Sequence, residues 1–403
     1  MAATLVVSGA QAQSSAGWQA CRQSPTQACV FTEAVQRARD DAPARDVPRY
    51  VVWEGGLYTR LSEIAEAKKD RPLFAEAKRL VNTRTVLNGA RETALQAIAL
   101  AEVRAGLVAD AAETVAAISD PGPVPAEIAV ALATSGRIGD ALALIGQTSS
   151  ASARAWAWIR LARATRDPVW FDKASASIRD IADPDEHASQ SRHLAVAQAD
   201  LGRVEHALRT IGAIGDRAYQ ALALAEIARV TRNATHVDEA KRRVGGLNER
   251  LIDLEAWRAV VRTQIALGRL ADAHLTLKRP GLEAQTGTLA DDAGELAAAY
   301  WIKEGPRKAE AVLMDILRGF AERFWAPARY ALAIGLADAG RIDSALLMAF
   351  LNDEANVDWA LAHIAVVQAR TGAIRDGLET ADKVKDPGAR SPALAKIAAL
   401  LSN

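Results

Sequence analysis

The chain has 403 residues, half of them hydrophobic but only 5% aromatic, and its Lys+Arg and Asp+Glu totals are equal at 49 each. That balance argues against a nucleic-acid coat or a membrane-surface protein. No stretch approaches the roughly 20 continuous apolar residues that a bilayer span requires.

Residues 1–12 stand apart from the rest. Ala3 to Ala12 is a run of small and apolar residues closing on Ala10-Gln11-Ala12, the pattern of a secretory signal remnant and its cleavage site, without a basic leader. Residues 13–54 form an N-terminal cap segment that holds the only two cysteines, Cys21 and Cys29. In an oxidising compartment such a pair staples a short loop; in the cytosol it would be two ordinary thiols. Together the two signals favour a bacterial periplasm or secretion, with the cytoplasm as the alternative.

From residue 55 onward an aliphatic-Ala pair recurs: Ile64-Ala65, Ile98-Ala99, Ile128-Ala129, Leu161-Ala162, Leu194-Ala195, Ile227-Ala228, Leu296-Ala297, Leu332-Ala333, Ile364-Ala365 and Ile397-Ala398, with Val260-Val261 as a variant. Twelve residues after the second member stands another small residue, as in Ala77, Ala141, Ala207, Ala273 and Gly377. The spacing predicts tandem pairs of helices, each pair pressed together where both carry a small side chain. Gly106, Gly136, Gly202, Gly268, Gly340 and Gly372 lie five residues before the later small residue, where a left-handed residue closes the first helix. Asn233 takes that stop role in one longer turn. Asp120-Pro121, Asp183-Pro184 and Asp386-Pro387 end second helices and supply caps for the next.

These spacings resemble the tetratricopeptide repeats, best in Ile128 to Ala141 and Leu194 to Ala207, although the aromatic residues usual in such units are mostly replaced by Leu, Ile and Ala. The resemblance implies an all-α chain: an α-solenoid of about ten to eleven antiparallel helical hairpins in a right-handed superhelix, continuous over residues 55–403. The pair Ile397-Ala398 belongs to a first helix with no second, which is expected to cap the stack or dock on another molecule.

Catalytic motifs are absent. There is no HExxH, CxxC, phosphate-binding Gly-rich loop or GxSxG, so no catalytic residue, metal ligand or cofactor is assigned. His187 and His193 share no ligand face. Asp291, Asp292 and Glu295 are read as acids favoured by a helix start rather than as a catalytic set.

The resemblance also implies that the first helices line a concave wall. The matching positions carry Trp156, Arg163, Arg166, Arg192, Arg229, Arg232, Arg258 and Arg262, a local excess of guanidinium that fits an acidic peptide or protein partner. Further along, Trp301, Tyr330 and Trp359 form a second possible contact zone. The expected function is a non-enzymatic protein- or peptide-binding scaffold, possibly homo-oligomeric and without nucleic acid. The alternative is a hydrolase or lyase on an α/α toroid. Export predicts a mature protein from native cells beginning at Gln13, which mass spectrometry of the intact N-terminus tests; a retained Met1 overturns it.

Overall fold

The computed structural model describes residues 17–40, 57–84, 88–119, 124–244, 250–278, 286–318, 325–352 and 354–401. Among them every regular element is a helix and there is no strand. The proposed signal remnant over 1–12 and the pair Asp120-Pro121 lie outside the described residues.

The chain divides into two compact units, 1–119 with 336–403 and 120–335. The first unit contains α1 (17–23), α2 (Gln27–Asp40), α3 (Leu57–Lys68), α4 (Arg71–Arg84), α5 (Asn88–Arg104) and α6 (Val108–Ala116). From the other end of the chain it takes α20 (Ile342–Phe350), α21 (Glu354–Arg370), α22 (Ile374–Asp382) and α23 (Pro387–Leu400). The second unit opens with α7 (Val124–Thr134), α8 (Ile138–Gln147), α9 (Ala151–Thr165), α10 (Trp170–Arg179), α11 (Pro184–Asp200) and α12 (Val204–Gly212). It continues through α13 (Arg217–Thr231), α14 (Ala234–Arg243), α15 (Leu251–Ala266), α16 (Leu270–Leu277), α17 (Thr286–Glu304), α18 (Pro306–Leu317) and most of α19 (Trp325–Asp338).

In the second unit each odd-numbered helix from α7 to α17 packs on the even-numbered helix after it and, through α15, beside the next odd-numbered one. The small residues make this possible. Ala129, Ala162, Ala195, Ala228 and Ala297, together with Ala141, Ala174, Ala207, Ala240 and Ala273, are all 0% exposed. Where the later small residue is Gly377, in the first unit, a Cβ would lie 2.6 Å from the carbonyl oxygen of Ala365. The two positions twelve apart are therefore in direct backbone contact.

The predicted turn glycines Gly106, Gly136, Gly202, Gly268, Gly340 and Gly372 all adopt positive φ. In each case the residue after the glycine reaches back to close a wide turn, as in Arg203 N to Gln198 O at 2.8 Å and Arg269 N to Gln264 O at 2.8 Å. Two turns of the second unit differ. Arg166 (φ 55°) and Arg232 (φ 52°) occupy the left-handed position themselves. Asn233 is thus not the stop residue expected from sequence: it caps α14, its side chain accepting from Thr235 N at 2.9 Å. Asp183 and Asp386 cap α11 and α23 with proline at the first helical position, where a missing N–H costs nothing.

A buried polar pair recurs alongside the alanines, a feature outside the sequence expectations. Thr114 donates to the buried Glu102 at 2.7 Å, and Thr210 donates to Gln198 at 2.8 Å. Gln264 with Thr276, and Gln368 with Thr380, hold the same two positions and are likewise buried. Where the pair is bonded, as in Glu102–Thr114 and Gln198–Thr210, it fixes which turn of the second helix faces which turn of the first.

The terminal helix α23 is not left bare. In the first unit α2 packs along α23, and α3 also lies against it. Val30, Phe31, Ala34 and Ala38 of α2 are buried, as are Ile397 and Ala398. α2 thus takes, on α23, the place that a following helix takes on the other first helices.

Gly294 on α17 shows how tight the packing is: a Cβ there would sit 2.1 Å from Ala328 O and 2.8 Å from the Ala331 Cβ of α19. Gly294→Ala should therefore destabilise the protein by about 1–3 kcal/mol in urea unfolding. Gly146→Ala on α8, where nothing lies within 4 Å, should be neutral or stabilising. Equal effects of the two changes would contradict this packing.

Candidate functional site

The polar side chains of the second unit's odd-numbered helices form ion pairs between neighbours. Arg160 on α9 meets Glu127 on α7 at 2.7 Å, and Arg192 on α11 meets Glu226 on α13 at 2.7 Å. Arg163 on α9 reaches Asp200 on α11 at 3.3 Å. Arg258 and Arg262 on α15 grip the carboxylate of Asp292 on α17 at 3.0 and 2.8 Å, and Arg262 adds Glu295 at 3.3 Å. The partners are separated by 30 to 37 residues, the length of one repeat, so these helices run side by side in the same direction. Four of the arginines assigned to the groove, Arg163, Arg192, Arg258 and Arg262, are thus engaged with acids of adjacent helices. The more exposed of these pairs, Arg163 with Asp200, contributes only about 0.2–1 kcal/mol, but every such carboxylate occupies a guanidinium that was expected to be free.

The acids Asp291, Asp292 and Glu295 do converge. Burial pushes all three carboxyls above their ordinary range, against the pull of Arg258 and Arg262. Burial and the nearby Asp291 raise the Tyr330 hydroxyl. Trp301 is half-buried on α17. Trp359 lies in the other unit, exposed on α21.

Trp156 is half-buried and meets the His193 ring edge-on, with centroids 4.8 Å apart. Arg160 also lies against it, its guanidinium carbon 5.9 Å from the indole. It packs between helices rather than standing free as an anchor. His193 Nε2 lies 2.9 Å from Arg192 Nη2; since arginine only donates, this imidazole nitrogen must accept and carries no proton.

The arginines that remain are gathered elsewhere. Arg166 and Arg232 are the left-handed residues that close α9 and α13, and Arg229 lies in the last turn of α13. Arg203, which is not among the groove positions expected from sequence, opens α12 in the turn between them. Counting Arg137 before α8 and Arg269 before α16, five successive first-to-second helix turns each carry an arginine. The outer two are tied down, Arg137 to Asp140 at 2.6 Å and Arg269 to Asp238 at 2.8 Å and Asp272 at 2.6 Å. Arg166, Arg203, Arg229 and Arg232 are exposed and have no acidic partner among the described residues. With neighbouring helix axes about 8–10 Å apart, they form a basic rim along one edge of the unit. Of these, only Arg203 was marked in sequence, as an Arg directly after a turn glycine, Gly202.

Among the described residues no group of three or more His, Cys, Asp or Glu could hold a metal ion. Cys21 and Cys29 are joined by a disulfide. A cavity of about 500 Å³ lies between the starts of α11 and α13, lined by Ile181, Pro184, Asp185, His187 and Asp216 among others. It lies at the starts of the odd-numbered helices, whereas the basic rim lies at their ends.

No family model matches the chain, and no curated protein does. Among solved structures it is similar to Ton1535 from Thermococcus onnurineus NA1, with 16% identity over 73% of this chain and 96% of that one. The TM-score of that match is 0.27, too low to bear on fold or function.

Burial first, then Arg192 and Arg163, lower the His193 pKa to about 4. The unfolded chain, with an ordinary value near 6.5, takes up the proton first, so acid favours unfolding at this residue. Its contribution to stability is complete above the unfolded value and is lost as pH falls from there toward about 4. An NMR titration of the His193 ring should show a midpoint near 4, and His193→Gln should remove this component of the stability-against-pH slope. A midpoint at the ordinary imidazole value would refute the buried, Arg-contacted state.

Proposed function

We propose that the chain is a non-enzymatic scaffold that binds an acidic protein or peptide segment, and that the basic rim of the second unit makes the contact. One observation carries this reading. Most of the described turns hold glycine in the left-handed region, but α9 and α13 end on arginines there, as α3 does on Lys69, in a conformation costing an L-residue about 1–2 kcal/mol. A strained residue kept where glycine would serve marks a side chain in use. Their position at helix C-termini lets them offset the helix dipole, but glycine would spare the strain and water would solvate the same carbonyls.

The accompanying fold reading is a tetratricopeptide-like α-solenoid of ten to eleven antiparallel hairpins. It is supported by the buried small residues at twelve-residue separation and by the repeat-length ion pairs. The disulfide supports residence in an oxidising periplasm or outside the cell. A hydrolase or lyase would draw on Asp291, Asp292 and Glu295. We do not adopt it, because two arginines already hold Asp292 and burial, with the mutual repulsion of the neighbouring carboxylates, accounts for the raised carboxyls.

Glycine provides the test, since it removes the charge and keeps the turn. Arg166→Gly with Arg232→Gly should leave melting unchanged or raise it, while binding of a fluorescein-labelled hexaglutamate peptide at low salt weakens by about tenfold or more. Undiminished binding by the double variant would end the proposal.

A further inference from the structure

Every second helix of the second unit from α8 to α16 is tethered to its first helix by a short turn, so it is always close by. The partner of α23 is different. α2 is joined to α23 by no turn at all: one contact across them, Gln27 Nε2 to Leu401 O at 3.3 Å, spans 374 residues. What holds α2 in place is packing along α23 and α3, and a second hold through α1. On α1, Trp18 Nε1 donates to Asp382 at 3.1 Å and Arg22 pairs with the same carboxylate at 3.2 Å. Arg390 of α23 also pairs with Asp382. Asp382 thus ties α1 to the end of α22 and to α23. Trp18 is 5% exposed, so its ring is part of the core of this junction.

The Cys21–Cys29 disulfide joins α1 to α2. It adds a second covalent link to the short segment 24–26 between the two helices, so the hold of α1 on Asp382 and the packing of α2 on α23 act on one body. We propose that this disulfide makes the α1–α2 pair a thiol-sensitive clasp, which keeps the face of α23 covered when oxidised and uncovers it when reduced. The proposal concerns the first unit and stands independently of the basic rim.

The chemistry is ordinary thiol–disulfide exchange with an external dithiol as reductant. Cys29 is the more exposed of the two, Cys21 being 7% exposed. A reductant thiolate attacks Cys29 Sγ, and the Cys21 thiolate leaves and takes a proton. The reductant's second thiol then attacks its own sulfur in the mixed disulfide, releasing Cys29 as a thiolate and the reductant as a cyclic disulfide. Two electrons pass to the protein and both cysteines end as thiols.

The test is hydrogen exchange on the full chain with and without dithiothreitol, with Cys21→Ser/Cys29→Ser as a second route to the same state. Reduction should speed exchange at least tenfold in residues 27–40 and 387–400 while α9, α11 and α13 are unchanged. Asp382→Asn, with the disulfide intact, should speed exchange in 17–23 more than in 27–40, because it removes the anchor and leaves the staple. Unchanged protection of α23 on reduction would overturn the proposal, since the disulfide would then be a local staple only. A uniform loss of protection across both units would overturn it as well, since the bond would then serve global stability.

Discussion

The approach of two helices through alanine is the contact on which the remaining structure depends. An Ala pair twelve residues apart, both completely buried, brings the backbones of a helix and its successor close enough that one extra methyl has no room, as the site around Gly377 shows. Interiors are packed to crystal density, so a layer built on Ala must be thin and repeated many times to bury enough surface. This explains a chain that is half hydrophobic yet poor in aromatics. It also explains why α23 needs a cover: a first helix with the same buried pair leaves an apolar face that must meet another helix, and α2 meets it.

Alanine contacts are uniform along the chain and do little to distinguish one register from another. The Glu102–Thr114 and Gln198–Thr210 pairs supply that distinction, because a one-turn slip would leave a buried carboxylate or amide without its hydroxyl. The ion pairs do the same between neighbouring first helices. Net neutrality fits this pattern: Arg160, Arg163, Arg192, Arg258 and Arg262 of the second unit's first helices answer an acid about one repeat away, whereas Arg166, Arg203 and Arg232 in the turns do not.

The repeat was legible because it is periodic. Ten aliphatic-Ala pairs, a small residue at a constant distance and glycine at a constant offset are enough to mark the buried positions and six of the left-handed residues. The candidate contact residues were less legible. A side chain advances 100° around a helix per residue, so a position counted from the repeat by analogy lands on a buried flank as readily as on an open face. Ile159 on α9, Ala225 on α13 and Gly294 on α17 occupy such flanks and are buried. Arg163, Arg192, Arg258 and Arg262 reached the polar face, but only coordinates show which acid lies one helix away.

Residue order alone determined the all-helical class, the pairing of each helix with its successor and the turns between them, since those contacts are local and obey a fixed period. Three features were decided by the tertiary structure. Arg232 holds the left-handed position that was expected of Asn233, and Arg166 holds the same position after α9, where no glycine marks the turn. Asp292 sits between two arginines of another helix, which depends on how neighbours align. α2 pairs with α23, and no local pattern carries information about a partner 374 residues away.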